Sequence, residues 1–252
     1  MRQGPTPTGV PVQARDLHLP RQMFHVLPET PCPYVPGQRE RKVLTEIDGA
    51  DPGAVYSLLS RAGFRRSHQF AYRPACVGCS ACVPVRVAAD EFVDSQSLRR
   101  VWRANAEIAP MEVPARATRE QFDLFVRYIG ARHDDGEMSG MTFADYRGMV
   151  EESRIDTRIG EFRAADGQLL AACLVDWLSD GPSAVYSFFE PALSHRSLGT
   201  YMVLWLIATA RRRGLPYVYL GYWIAESPKM AYKARFRPLE GLGPDGWQVL
   251  HA

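Results

Sequence analysis

Apolar positions along this chain switch between two-residue alternation and helical spacing, and the sharpest switch lies between Ser183 and Arg237. AVYSFFE, Ala184 to Glu190, is rich in β-branched and aromatic residues and predicts a strand. SHRSLGTYMVLWLIATARRRG follows, with Leu198, Tyr201, Met202, Trp205 and Leu206 at helical spacing. This helix is apolar nearly all round, so it belongs in a core. Its last turn, Arg211 to Arg213, puts cations where the helix dipole favours them, and Gly214 supplies a left-handed cap. PYVYLGYWI then alternates as a strand, with Val218, Leu220 and Tyr222 on one face and Tyr217, Tyr219 and Trp223 on the other. SPKMAYKARFRP reads as a basic helical segment after it.

Upstream, residues 1 to 20 are rich in Pro and Gly and predict a loose arm, with order beginning near Met23. A strand is expected at Lys42 to Glu46, and Asp51-Pro52 opens a helix that Gly63 closes. GFRRSHQFAYRP predicts a strand, VPVRVAADEF another, and SQSLRRVWRANAEI a helix with Arg99, Arg100 and Arg103 on a basic face. Amphipathic helices follow from Arg119 to His133 and from Thr142 to Glu152, with Thr142 and Asp145 at capping-box spacing. Strands are expected at Ile159 to Arg163 and Leu169 to Leu178, joined by an Asp166-Gly167 hairpin turn.

From Val83 the predicted order is strand, helices, three antiparallel strands, long helix, strand, helix. That is an α/β (α+β) chain with the layout of a GNAT-like acyltransferase domain, an analogy of fold alone. Division is expected into an arm (1–20), a smaller Cys-containing N-terminal domain (21–105) and the GNAT-like domain (106–252). In GNAT enzymes an Arg/Gln-x-x-Gly-x-Gly/Ala turn holds the pyrophosphate of coenzyme A. Here the corresponding stretch is Arg196-Ser197-Leu198-Gly199-Thr200-Tyr201, and bulky Tyr201 argues against that use.

Composition narrows this picture. The 252 residues are 46% hydrophobic and 23% charged with a net charge of only +2, so basic regions are local. Eight Lys or Arg and one acid, Glu226, lie between Arg196 and Arg237, and five Arg with no acid lie between Val55 and Ala89. Two positively charged faces are therefore expected, suited to an anionic ligand. No apolar run reaches the roughly 18 residues of a membrane span, and the N-terminus lacks a signal-peptide core, which points to the cytoplasm. Five cysteines suit a reducing compartment. Cys76, Cys79 and Cys82 are three apart, and with Cys32 they form a candidate site for zinc or an iron–sulfur cluster. Cys173, in the apolar run LLAACLV, reads as a core residue.

Several blocks carry a resemblance: CPYVPGQRERK, GFRRSHQFAYRPACVGCSACVPVRV, SQSLRR, YIGARH, LVDWL, AVYSFFEP, SLGTY, VYLGYWI and KMAYKARFRP. Together, from about Cys32 to Pro238, they resemble the bacterial branch of the arginyl-tRNA–protein transferase family, the aspartate/glutamate leucyltransferases. Val35, where Leu is expected, is a small departure. The resemblance implies transfer of leucine from leucyl-tRNA to the α-amino group of proteins beginning with Asp or Glu, marking them for regulated proteolysis as an N-degron. It implies no coenzyme A and no cofactor for transfer itself, with leucyl-tRNA and the acidic-terminus protein as partners and no membrane. Arginyl transfer is the nearest alternative, and a coenzyme A-dependent N-acetyltransferase a more distant one.

Such a reaction sets three tasks. An acidic first residue calls for a guanidinium that grips a carboxylate in two places, for which Arg65, Arg66 and Arg73 are candidates. The tRNA acceptor end calls for cations and a stacking surface, with Lys229, Lys233, Arg235, Arg237 and Tyr232 as candidates, and Tyr222 or Trp223 as further stacking rings. Phe188 and Tyr186 are candidate walls for the leucyl group. Around the reacting ester, Tyr186, Tyr222 and Lys233 are the candidate catalytic residues, with His133 and His195 as possible proton carriers. The ester is already activated and an α-amine of pKa roughly 7.7–8.0 is partly neutral, so positioning can replace a strong general base.

Overall fold

A computed structural model describes residues 22–132 and 138–251. The expected N-terminal arm, His133 and the start of the loop after it lie outside the described residues. The N-terminal part contains β1 (His25–Val26), β2 (Thr30–Pro31), β3 (Arg39–Glu40), β4 (Lys42–Glu46), α1 (Pro52–Arg61), β5 (Arg65–Ser67) and β6 (Phe70–Pro74). Strands β1, β4, β6 and β5 make one antiparallel sheet in that order, and β2 and β3 pair separately. Helix α1 starts as its sequence dictates: Asp51 accepts from the Ala54 N–H at 2.9 Å, Pro52 occupies the first turn, and Gly63 beyond the end has φ +85°.

After the cysteine loop come β7 (Val83–Ala88), α2 (Gln96–Ala104), β8 (Ala109–Pro114), α3 (Arg119–Arg132), α4 (Phe143–Glu151), β9 (Thr157–Arg163), β10 (Leu169–Leu178) and β11 (Gly181–Phe189). A 3-10 turn at Pro191–Arg196 leads into α5 (Leu198–Arg212), followed by β12 (Tyr217–Trp223), a second 3-10 turn at Ala231–Arg235, β13 (Leu239–Gly243) and β14 (Gly246–Val249). The eight strands from β7 on form one sheet in the order β14-β13-β7-β12-β11-β10-β9-β8. All neighbours are antiparallel except β11 and β12, which the α5 crossover makes parallel. The capping box of α4 forms as its spacing predicts, with Thr142 and Asp145 each serving the other's backbone N–H.

Both faces of this sheet are covered. Ala171, Cys173 and Val175 of β10 pack with α2 and α5, while Leu169, Ala172 and Leu174 pack with Leu124, Phe125 and Ile129 of α3 and Tyr146 and Val150 of α4. The N-terminal sheet and α1 close a third core, in which Val55, Tyr56 and Leu59 meet Leu178 of β10 and Tyr219 of β12. An added Cβ at Gly181 (φ +154°) would collide with the Tyr217 carbonyl, so only glycine allows the β10–β11 turn to sit against the start of β12.

Four expectations need correcting. GFRRSHQFAYRP is two strands, because His68 adopts φ 54° and folds the chain back between β5 and β6. Within SPKMAYKARFRP only Ala231–Arg235 is helical, a 3-10 turn whose start has no side-chain cap. The alternation of β12 breaks at a bulge between Tyr219 and Gly221 (φ +77°), so Trp223 joins Val218 and Leu220 in the α5 core while Tyr222 turns toward the N-terminal sheet. The division at residue 105 is not a structural one: β7 lies inside the large sheet between β13 and β12, and α2 packs on α5, since two-sided burial of Val85 and Val87 needs the larger layer. Edge strand β8 and the β13–β14 hairpin are additional to the elements that the pattern predicts. Pro110 and Pro114 mask the first, although Pro244-Asp245-Gly246 is a readable turn signal for the second.

Candidate functional site

The parallel pair β11 and β12 separates almost at once. Its register contains the single partnership Ser183 with Tyr219, and both strands are bulged just beyond it. Arg65, projected from β5 of the N-terminal sheet, enters the resulting gap. Its Nη1 donates to Ser183 Oγ at 2.9 Å, its Nη2 donates to the Ala184 carbonyl, and its guanidinium lies against Gly221 so closely that a Cβ there would stand 3.1 Å from Nε. Two of five guanidinium N–H bonds are used, and no acid pairs with Arg65 among the described residues.

Lys233 lies beside it. The short turn Ala231–Arg235 folds its side chain inward, leaving it 9% exposed, with Nζ donating to the Tyr222 carbonyl at 2.5 Å. Burial first, and the Arg65 charge second, push its pKa down to about 7. No carboxylate pairs with it among the described residues. A lysine in this state has a lone pair at neutral pH and accepts a proton readily.

The other candidates divide clearly. Arg66 points the opposite way from Arg65 and is consumed by Asp176, Nε and Nη2 donating to Oδ2 and Oδ1 at 2.7 and 2.9 Å with both side chains buried. That pair is structural, so Arg66 is unable to receive a substrate carboxylate. Arg73 is exposed, donates to the Ala62 carbonyl, and lines an open groove of about 920 Å³ between the cysteine loop and the β13–β14 hairpin. Tyr222 is also committed: its hydroxyl reaches the carbonyls of Gly63 (2.9 Å) and Tyr72 (3.2 Å), and burial raises its pKa far beyond use as an acid. Tyr222 thus fastens β12 to the N-terminal sheet and offers no ring for stacking.

Tyr186 follows the β11 bulge, half-buried against Phe125, with burial raising its pKa. Phe188 is fully packed among Phe125 and Tyr146 and is core, not a pocket wall. Lys229 and Tyr232 are exposed near Lys233, and Arg235 reaches from the same segment to Ser97 of α2 at 3.5 Å. Arg237 donates to the Ala234 carbonyl, Trp223 leaves its indole N–H buried without a partner among the described residues, and His195 is exposed on the turn before α5.

At the start of α5, Arg196 is tied to Glu107, Asn105 and the Ala104 carbonyl, so it is not available to a pyrophosphate. Tyr201 lies inside the core between Trp102 and Phe162 and blocks nothing at the helix start.

Cys32, Cys76, Cys79 and Cys82 converge. The Val35 and Arg41 N–H groups donate to the sulfurs of Cys32 and Cys76 at 3.4 Å, and Gly78 makes the turn between Cys76 and Cys79 with φ +71°. Burial, then the other three cysteines, raises the Cys82 pKa to about 11. As the thiols stand, no three His, Cys, Asp or Glu side chains among the described residues are grouped tightly enough to hold a metal ion. Cys173 is buried in the core, as its run predicts.

Comparison with known proteins gives the family. The model described as "Arginine-tRNA-protein transferase, C terminus" matches residues 120–243, and the one described as "Arginine-tRNA-protein transferase, N terminus" matches residues 30–100. An aspartate/glutamate leucyltransferase of Paramagnetospirillum magneticum is 58% identical over 92% of this chain and 96% of that one. One of Rhodospirillum rubrum is 56% identical over 92% of this chain and 94% of its own. Among solved structures, "The structure of L-PGS from Bacillus licheniformis" overlaps 71% of this chain and 51% of that chain at 14% identity, with a TM-score of 0.45. Matched from its N-terminal sheet through its crossover helix and β12, the chain belongs to the arginine-tRNA-protein transferase family, alongside relatives that are aspartate/glutamate leucyltransferases.

Proposed function

We propose that this protein moves leucine from leucyl-tRNA to the α-amino group of proteins that begin with Asp or Glu, creating an N-degron in the cytoplasm. The names of its relatives point to this activity, and the observation that carries it is Arg65, a cation in the β11–β12 gap with no acidic partner among the described residues, beside the buried amine of Lys233. Holding such a charge away from water is costly unless a ligand compensates it, and an acidic chain terminus is a ligand of the right sign. Arg65 keeps N–H donors for the side-chain carboxylate of the first residue.

Lys233 serves the reaction. The neutral α-amine attacks the ester carbonyl and forms the N–C bond, and the nitrogen then carries a surplus proton. Lys233 takes that proton, the C–O bond to the terminal ribose breaks, and the proton passes to the departing hydroxyl. Lys229, Arg235, Arg237 and Tyr232, exposed on the same segment as Lys233, are the contacts for the acceptor end. Tyr186 borders the leucyl group.

Zinc or an iron–sulfur cluster on Cys32, Cys76, Cys79 and Cys82 is an auxiliary proposal. Convergence of the four thiols and the N–H bonds to two of them support it, and their present spacing opposes it. No step of transfer passes through that site.

The decisive experiment offers leucyl-, arginyl- and phenylalanyl-tRNA to peptides starting with Asp, Glu, Lys or Ala. Leucine on Asp and Glu peptides alone is the expected result. Arginine as the preferred donor would replace the donor assignment, and equal use of Lys or Ala peptides would remove Arg65 from its role.

A further inference from the structure

Some exposed arginines of this chain pair with acids: Arg61 with Asp180, Arg127 with Glu190, Arg154 with Asp48, and Arg213 with Glu112. Helix α2 gathers three that, among the described residues, do not. Its sequence, QSLRRVWRA, carries three arginines and no acid, and Leu98 and Val101 face the core while Arg99, Arg100 and Arg103 are exposed. Asp90, Glu91 and Asp94 precede the helix, yet none pairs with these arginines, and Arg99 only donates to the Asp94 carbonyl. Arg100 and Arg103 make no ion pair or hydrogen bond among the described residues.

The position of this face matters as much as its charge. Arg235, two residues from Lys233, reaches Ser97 in the first turn of α2, and Phe236 packs on Phe92 just before that helix. Ser97, Arg100 and Arg103 succeed one another at three-residue spacing along one side of α2. A continuous route thus runs from Lys233 at the reacting centre, over Arg235 and Ser97, to the guanidinium groups of Arg100 and Arg103, about one and two turns of helix further on.

We propose that this side of α2 is a docking track for the backbone phosphates of the double-helical stem that carries the aminoacyl end. Evenly spaced cations on a rigid helix, without acids for discrimination and without a pocket, suit a repeating polyanion read for charge and not for sequence. The proposal rests on the reading that aminoacyl-tRNA is the donor. It adds that affinity for the donor is concentrated on α2, away from the chemistry.

The test compares wild type, R100A/R103A and R100K/R103K with two donors, intact leucyl-tRNA and the short ester 2′(3′)-O-leucyl-adenosine. R100A/R103A should bind uncharged tRNA at least tenfold more weakly, with a log–log salt slope smaller by about 2. Its transfer from the short ester should stay within twofold of wild type, and R100K/R103K should recover tRNA binding. Unchanged tRNA affinity in R100A/R103A, or equal loss with both donors, would overturn the track. A weakened KM for the acidic peptide with tRNA binding intact would also overturn it and give the face to the acceptor protein. Wild-type protein that binds tRNA through α2 but never transfers leucine would sink the functional reading alone.

Discussion

Arg66 and Asp176 form a two-point ion pair, at 2.7 and 2.9 Å, between the N-terminal sheet and the centre of the large sheet, and both side chains are buried. Its neighbour Arg65 faces the other way and, among the described residues, donates to a hydroxyl and a carbonyl and to no acid. Adjacent residues of one strand point to opposite faces, so two arginines next to each other in sequence have opposite fates. One is spent on joining the two parts of the molecule, and the other stays available to a ligand.

Removing Arg66 should therefore act on stability. Arg66→Ala leaves Asp176 buried with only Thr157 as a side-chain donor, a loss of about 3–5 kcal/mol for a broken buried pair. Thermal unfolding of Arg66→Ala should show this drop, and Arg66→Met with Asp176→Leu should recover much of it. A variant that keeps its melting temperature and loses only discrimination of acidic termini would return Arg66 to the site.

Arg65→Ala should lower kcat/KM for Asp- and Glu-peptides by about 10- to 100-fold, the worth of a charge-assisted hydrogen bond, with circular dichroism and tRNA affinity preserved. Arg65→Lys should recover little, because a point charge does not reproduce a two-point grip. If Arg65→Ala retains full discrimination, Arg73 in the adjoining groove becomes the candidate.

Lys233 makes the pH dependence specific. Its folded pKa of about 7 lies below its ordinary 10.5, so the unfolded chain holds this proton over a range where the folded chain has lost it. Stability contributed through Lys233 should rise as pH increases from about 7 toward 10.5, and Lys233→Met should flatten that slope in unfolding titrations. Transfer at saturating substrate should rise through about pH 7 in wild type and lose that limb in Lys233→Ala. Lys233→Arg, which stays charged throughout, should be inactive; an active Lys233→Arg would exclude proton acceptance here.

For the cysteines, metal analysis of protein purified without oxygen should find zinc or iron at about one site per chain, with Cys79→Ser lowering it. Finding neither leaves four thiols held by hydrogen bonds and apolar packing.

Sequence alone determined the local elements and the family. Strand Lys42–Glu46, the Asp51-capped α1, the Thr142–Asp145 box and the Gly214 end of α5 all follow from short-range steric and capping preferences, which neighbouring residues set among themselves. It also brought forward Arg65 and Lys233, but among other cations of equal appearance. Only the tertiary structure separated them, because charge type is a property of the residue while burial, partner and direction belong to the packing. Nothing near Arg66 in the chain announces Asp176, which is 110 residues away, and the bulge that turns Tyr222 toward Gly63 depends on how β12 meets β7. Long-range contacts of this kind decide which cations are tied to acids and which are not, so the arrangement of Arg65 and Lys233 exists only once the two sheets have met.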